Sequence, residues 1–213
     1  MSSILWLASY PRSGNTWLRV LLHNYKRNLD TPIHINEPDG IIGSGNRWQF
    51  DNALGIDSGD LSFDEVDSYR QAVYRHYAQI SDGMVILKIH DAFTYLANGC
   101  PMLPLDVTHG ALYIIRNPLD VAISFASYNM ASISDTINWM CDDRFTLCGN
   151  RYSQQAQLRQ QLLSWSSHAK SWLTAPNLSV NLIRYEDLVD KPLETFRQVL
   201  EFIGVAVEDG RLQ

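Results

Sequence analysis

Residues 9–19 read Ser-Tyr-Pro-Arg-Ser-Gly-Asn-Thr-Trp-Leu-Arg. Within one loop's length they gather a permanent cation at Arg12, hydroxyls at Ser13 and Thr16, and a large flat ring at Trp17. An apolar run, Ile4-Leu5-Trp6-Leu7-Ala8, comes before them, and a helical pattern follows. Strand, tight loop and helix start, in that order, make the setting of a phosphate-binding loop. The unpaired N–H groups of a helix N-terminus, here those of Gly14, Asn15 and Thr16, carry a partial positive charge that suits an anion. Phosphate contacts beside an aromatic plate point to a nucleotide.

Three later segments add reactive groups. Leu87-Lys88-Ile89-His90 ends an apolar run, and strand alternation puts Lys88 and His90 on one face. An imidazole with an ordinary pKa of about 6.5 can accept a proton near neutrality, and an ammonium beside it can stabilise negative charge. His23, His34, His76, His109 and His168 lack that combination of lysine neighbour and strand end. The run from Tyr113 to Ser124, Tyr-Ile-Ile-Arg-Asn-Pro-Leu-Asp-Val-Ala-Ile-Ser, takes a strand to Arg116 and opens a helix at Asn117-Pro118. A guanidinium at such a strand end can make forked bonds to phosphate. Arg184-Tyr185-Glu186-Asp187-Leu188 follows another apolar run. Its two carboxylates read as caps or structural acceptors.

These groups need a frame. Trp17, Leu18, Leu21, Leu22 and Tyr25 predict a helix from about Asn15 to Asn28, with Lys26 and Arg27 at its C-terminal end. Residues 30–60, punctuated by proline and glycine, read as a long irregular excursion. Ser62 and Glu65 have capping-box spacing for a helix to about Ile80. Met84 to Ile89 and Ala111 to Ile115 read as the second and third strands, and residues 131–152 as a second irregular region. Leu158, Leu162, Trp165, Ala169 and Trp172 mark one face of a long helix. Leu178, Val180 and Leu182 alternate as a fourth strand, and Lys191-Pro192 opens a last helix that Gly204 ends. Strands alternating with helices predict a single α/β domain over residues 1–213: a P-loop-type three-layer sandwich with a mostly parallel central sheet flanked by helices. Ligands of such sheets sit beyond the carboxyl ends of the strands, where the loop, His90 and Arg116 all fall.

The loop is not a Walker A sequence, because Asn15 stands where the lysine would be and the first glycine is missing. Pro-Arg-Ser-Gly-Asn-Thr-Trp instead resembles the 5′-phosphosulfate loop of sulfotransferases, usually Pro-Lys-Ser-Gly-Thr-Thr-Trp. Those enzymes use 3′-phosphoadenosine-5′-phosphosulfate (PAPS). The Arg116–Ser124 segment resembles the family's 3′-phosphate segment, Arg-Asn-Pro-x-Asp-x-x-x-Ser. Lys88-Ile-His90 resembles its Lys-x-His unit, and Tyr185-Glu-Asp-Leu its Tyr-Glu-Asp-Leu/Met segment. All four occur in the family's order, from about residue 4 to residue 204.

The resemblance implies sulfuryl transfer from PAPS to a hydroxyl or amine of a small-molecule acceptor, without a metal. It implies His90 as general base, with Lys88 and Arg12 stabilising charge. Donor contacts would come from Arg12, Ser13, Gly14, Asn15, Thr16, Trp17, Arg116, Ser124 and Tyr185, with Trp17 and Tyr185 beside the adenine. His168, in Trp165-x-x-His168-x-x-x-Trp172, is expected to pack. Arg12 and Asn15 replace the usual lysine and threonine, which keeps the charge and changes the geometry. The family's Arg-Lys-Gly segment, which closes over the 3′-phosphate, has no counterpart up to Gln213. The donor site is therefore expected to be weaker, incomplete or finished by another chain. Two other readings stay open: a catalytically weak or inactive nucleotide-binding protein of the same fold, and a P-loop kinase, which would need a Walker lysine.

Composition narrows the partners. Of 213 residues, 46% are hydrophobic and 19% charged, as in a globular chain that buries a sizeable core. A net charge of −6 argues against broad attraction to nucleic acid or anionic lipid, so the cations above must act as a local cluster. Apolar runs fall far short of the ~20 residues of a membrane span, and the N-terminus has no secretory signal pattern. Cys100, Cys141 and Cys148 lack Cys-x-x-Cys spacing and suit free thiols in a reducing cytoplasm. Acceptor contacts are expected from residues 30–60 and 131–152, with Phe50, Phe93, Tyr95 and Trp139 as aromatic candidates.

Overall fold

The computed structural model describes residues 2–28, 31, 33, 34, 40–150 and 155–211. In chain order the elements are β1 (Ser3–Ser9), α1 (Asn15–Arg27), β2 (Ile42–Gly43), α2 (Arg47–Leu54), α3 (Phe63–Ile80), β3 (Met84–Ile89) and β4 (Thr108–Ile115). They continue with α4 (Pro118–Asn129), α5 (Ile133–Cys141), β5 (Thr146–Leu147), β6 (Gln160–Gln161), α6 (Trp165–Leu173), β7 (Val180–Arg184), α7 (Tyr185–Asp190) and α8 (Pro192–Phe202).

Five strands form one parallel sheet in the order β2-β3-β1-β4-β7. β1 runs between β3 and β4, and residues 4–9 are all buried because helices cover both faces. Alternation divides its side chains between two cores. Ile4, Trp6 and Ala8 pack with Tyr74 of α3 and Trp172 of α6, while Leu5 and Leu7 pack with Leu18 of α1 and Val199 of α8. The result is the expected three-layer sandwich. Every strand next to β1 ends at the same edge, so the segments that follow β1, β3 and β4 converge there.

Local signals account for several boundaries. Ser62 and Glu65 close a reciprocal capping box, which starts α3 at Phe63 and satisfies two N–H groups. The Asn117 side chain caps α4 through Leu119 N–H, with Pro118 in the first turn. Gly204, at φ 73°, follows the end of α8.

Other expectations need correction. Residues 40–60 are not irregular: β2 adds an edge to the sheet, and Asn46 caps α2 through Gln49 N–H. Ser132 likewise caps α5 inside the region 131–152. The long helix over 158–172 is cut to α6. Leu158 and Leu162 are buried, but their backbones are extended and bond to Gly45 and Phe145. Leu163 then takes a φ of 60°, and Ser164 caps the helix. In β7 the more buried side chain is Ile183, whereas Leu182 is 46% exposed. Among the described residues, no helix is long and apolar enough to cross a membrane.

Candidate active site

A cavity of about 730 Å³ opens at the edge where the strands end. Of the site candidates only Ser13 stays out of its lining. Ser13 is fully buried, and its hydroxyl has no partner among the described residues. Phe50, Phe93, Tyr95 and Trp139 also lie outside the lining. Phe50 and Phe93 belong to the core, and Trp139 stacks on Phe145.

The loop between β1 and α1 is shaped by backbone conformation. Arg12 has a φ of 68° and Gly14 a φ of 104°. Gly14 takes the N-cap position with no side-chain bond to the first turn, so Asn15, Thr16 and Trp17 begin α1 at the cavity. A Cβ at Gly14 would lie 2.6 Å from Cδ2 of Tyr185, so this position needs glycine for space as well as for φ. Asn15 points inward. Its amide donates to the Leu7 carbonyl at 3.0 Å and to the Ser9 hydroxyl at 3.3 Å, bracing the loop against β1.

Arginines join this loop to α4 and α7. Arg12 Nε donates to Ser124 Oγ at 3.1 Å, and its guanidinium lies 4.8 Å from the Tyr128 ring centre. Arg116 Nη1 donates to the Arg12 carbonyl at 3.1 Å and lies over Tyr185, 4.3 Å from the ring centre. Tyr185 meets Trp17 edge-on at 5.7 Å. Glu186 accepts from Asn117 N–H at 2.9 Å and so is a structural acceptor that ties α7 to the start of α4. Arg116 Nε is buried and has no partner among the described residues.

Lys88 and His90 both face this cavity from the end of β3. His90 Nδ1 lies 2.7 Å from the Ser9 carbonyl. A carbonyl can only accept, so Nδ1 carries the hydrogen and Nε2 keeps its lone pair. Burial, and then the charge of Lys88, pull the pKa of His90 down to about 3, against the opposing pull of the Ser9 bond. The ring is therefore neutral at physiological pH, with a proton-accepting nitrogen on an imidazole of fixed tautomer.

Residues 3–213 match the sulfotransferase domain family. The chain belongs to that family. Among curated relatives, sulfotransferase 1A1 of Rattus norvegicus is 26% identical over 209 residues, covering 94% of this chain and 59% of that one. A WSCD family member of Aedes aegypti is 24% identical over 208 residues, covering 97% and 52%. The chain thus spans between half and three-fifths of the length of these relatives. Two solved structures share its fold across the whole chain. One is mouse sulfotransferase SULT7A1 with PAP, at a TM-score of 0.59, 19% identity and 62% of that chain. The other is retinol dehydratase with retinol and PAP, at 0.56, 17% and 63%.

In this sulfotransferase domain the backbone of residues 90–93 is held from several sides. His168 Nε2 donates to the His90 carbonyl at 3.0 Å, while its Nδ1 accepts from the Tyr113 hydroxyl at 2.9 Å. One turn on, Trp172 Nε1 donates to the Asp91 carbonyl at 3.1 Å. Asp91 itself is buried, accepts from Gln161 N–H and pairs with Arg70 at 3.6 Å. The sequence showed His168 only as part of a packing pattern, and Ser9, Gln157 and Gln160 carried no motif. Ser9 orients His90, and the two glutamines line the cavity.

Both His90 and the fully buried His168 make stability depend on pH. Burial pulls His168 down to about 4. Above the ordinary value of 6.5, both rings are neutral whether folded or unfolded. As pH falls below 6.5, the unfolded chain binds protons at these rings and the folded chain does not, until about pH 4 for His168 and about pH 3 for His90. Stability is therefore lost on the acid side of 6.5, by up to about 1.4 kcal/mol per pH unit for each ring. Urea melts at pH 7 and pH 5 are expected to show this drop, and an equal midpoint at both would refute it.

Proposed function

We propose that the chain transfers a sulfuryl group from PAPS to the hydroxyl of a small-molecule acceptor, with His90 as general base. The observation that carries this reading is the fixed tautomer of His90: Nδ1–H is spent on the Ser9 carbonyl, and Nε2 is left as an acceptor in a cavity lined by Lys88, Arg12 and Arg116. PAPS supplies a sulfuryl group joined to a phosphate leaving group. The residues fit such a donor. Gly14, lacking a Cβ, lets the Tyr185 ring close against the loop, and the unpartnered Nε of Arg116 offers a donor for a phosphate oxygen. Trp17 and Tyr185 supply aromatic faces for adenine. PAP in the related mouse structure and in retinol dehydratase supports the same donor, and the retinol and androsterone complexes of retinol dehydratase support a small acceptor.

His90 Nε2 takes the acceptor's proton as the acceptor oxygen bonds to sulfur and the bond from sulfur to the bridging phosphate oxygen breaks. Lys88 and Arg12 stabilise the charge left on that oxygen. Asn15 supports the loop through its inward brace to Leu7 and Ser9. The free thiols Cys100, Cys141 and Cys148 accord with a cytoplasmic setting. Radiolabelled PAPS incubated with a mixed acceptor panel is expected to yield a labelled product and PAP. Magnesium-dependent phosphoryl transfer from ATP, with no label transferred from PAPS, would replace this reading by a kinase.

A further inference from the structure

Gln160 is a polar side chain in an unusual position. It is 4% exposed and yet lines the cavity. Its neighbours define which way it faces. Gln161 N–H bonds to the Asp91 carboxylate, and Ala92 N–H bonds to the Gln161 carbonyl at 2.7 Å, so this strand segment runs alongside the residues just after His90. Gln161 turns its amide toward Asp67 of α3. Strand alternation sends Gln160 to the opposite face, which is the cavity side. There it lies flat over Gly45: a Cβ on that glycine would sit 3.3 Å from Gln160 Nε2. Leu147 is its cross-strand partner and lines the same wall.

Gln160 Nε2 donates to Oε1 of the exposed Gln157 at 2.7 Å, which joins the two amides. Two functions are then left over. Gln160 Oε1 can accept and the Gln157 NH₂ can donate, and neither has a partner among the described residues. A hydroxyl both donates and accepts, so it answers this pair as a carbonyl or an ammonium cannot. The charged side chains among the described lining residues are Arg12, Lys88 and Arg116, which repel an ammonium.

From this wall, and resting on the sulfuryl transfer proposed above, we propose that the acceptor is a polyhydroxylated compound. Beside the hydroxyl that attacks sulfur it carries a second hydroxyl, seated between Gln160 Oε1 and Gln157 Nε2, as in a sugar or a vicinal diol. An acceptor with one hydroxyl leaves Gln160 Oε1 and the amide of the exposed Gln157 without a ligand partner, and an amine meets three cations.

The test is a calorimetric or NMR titration of the PAP-loaded protein with trans-cyclohexane-1,2-diol, cyclohexanol and cyclohexylamine, which share one ring. The diol is expected to bind about 10- to 100-fold more tightly than cyclohexanol, and Gln160→Leu to remove most of that difference. Gln160→Glu is expected to raise the affinity for cyclohexylamine. PAP affinity, measured on each protein in the same experiment, reports whether the donor site is intact. Equal affinity for diol and cyclohexanol, or a preference that survives Gln160→Leu while PAP still binds, overturns the acceptor assignment alone. Failure of the unaltered protein to bind PAP overturns the sulfuryl-transfer reading, and the acceptor assignment with it.

Discussion

Replacing His90 by alanine is expected to lower turnover about 10²- to 10⁴-fold, the usual effect of removing a general base, with little change in the affinity for PAP. The separation follows from where the ring sits. The His90 ring is held through Nδ1 by Ser9 and lines the cavity with Nε2 left as its acceptor, whereas the groups assigned to the donor's phosphates belong to the loop and to Arg116. Single-turnover transfer from pre-bound PAPS measures the chemical step without acceptor or product kinetics. An unchanged rate would remove His90 from the reaction. A loss of PAP affinity as large as the loss of rate would make the histidine a donor-binding group instead.

Gly14→Ala is expected to cost the donor site its shape. The new methyl group would meet Tyr185 Cδ2 at 2.6 Å on a backbone whose φ is 104°. Tyr185 cannot yield without cost, because it stands between the Trp17 edge and the Arg116 guanidinium. Relief comes either from unstacking Arg116 or from reshaping the loop, and both disturb the same subsite. Strain of this kind costs about 1–3 kcal/mol, so PAP affinity should fall roughly 10- to 100-fold. Calorimetric titration checks this, and an unaltered dissociation constant would show that Tyr185 and the loop are not part of the donor site.

What could be read from the sequence was whatever local chemistry encodes. The capping box at Ser62 and Glu65 and the Asn117-Pro118 start of α4 involve residues within one turn of each other, and the structure places both helices there. The cavity candidates were legible because strand ends in a parallel sheet gather at one edge. Long-range contacts were not legible. Leu158 and Leu162 continue the i, i+4 spacing of α6, but they are buried in extended chain that bonds to Gly45 and Phe145, and spacing cannot tell these two cases apart. Asn15 lines the cavity as a donor-contact candidate, but the bond of its side-chain amide to the Leu7 carbonyl of β1 was not legible in the motif. His168 packs as expected, but its bond to the His90 carbonyl, 78 positions away in sequence, was not legible. Gln160 had no pattern at all, and its position depends on pairing with β5 and on the turn of Gln161 toward α3.

In the proposed reaction one cavity holds the donor's two phosphates between the Arg12 loop and Arg116 and brings the sulfuryl position to His90. A crystal structure with PAP tests it most directly. The complex is expected to show the 5′-phosphate on the N–H groups of Gly14, Asn15 and Thr16, the 3′-phosphate on Arg116 and Ser124, and His90 Nε2 facing the 5′-phosphate oxygen that carries sulfur in the donor. PAP bound away from the Arg12 loop, or an imidazole whose Nε2 points out of the cavity in the complex, would contradict it.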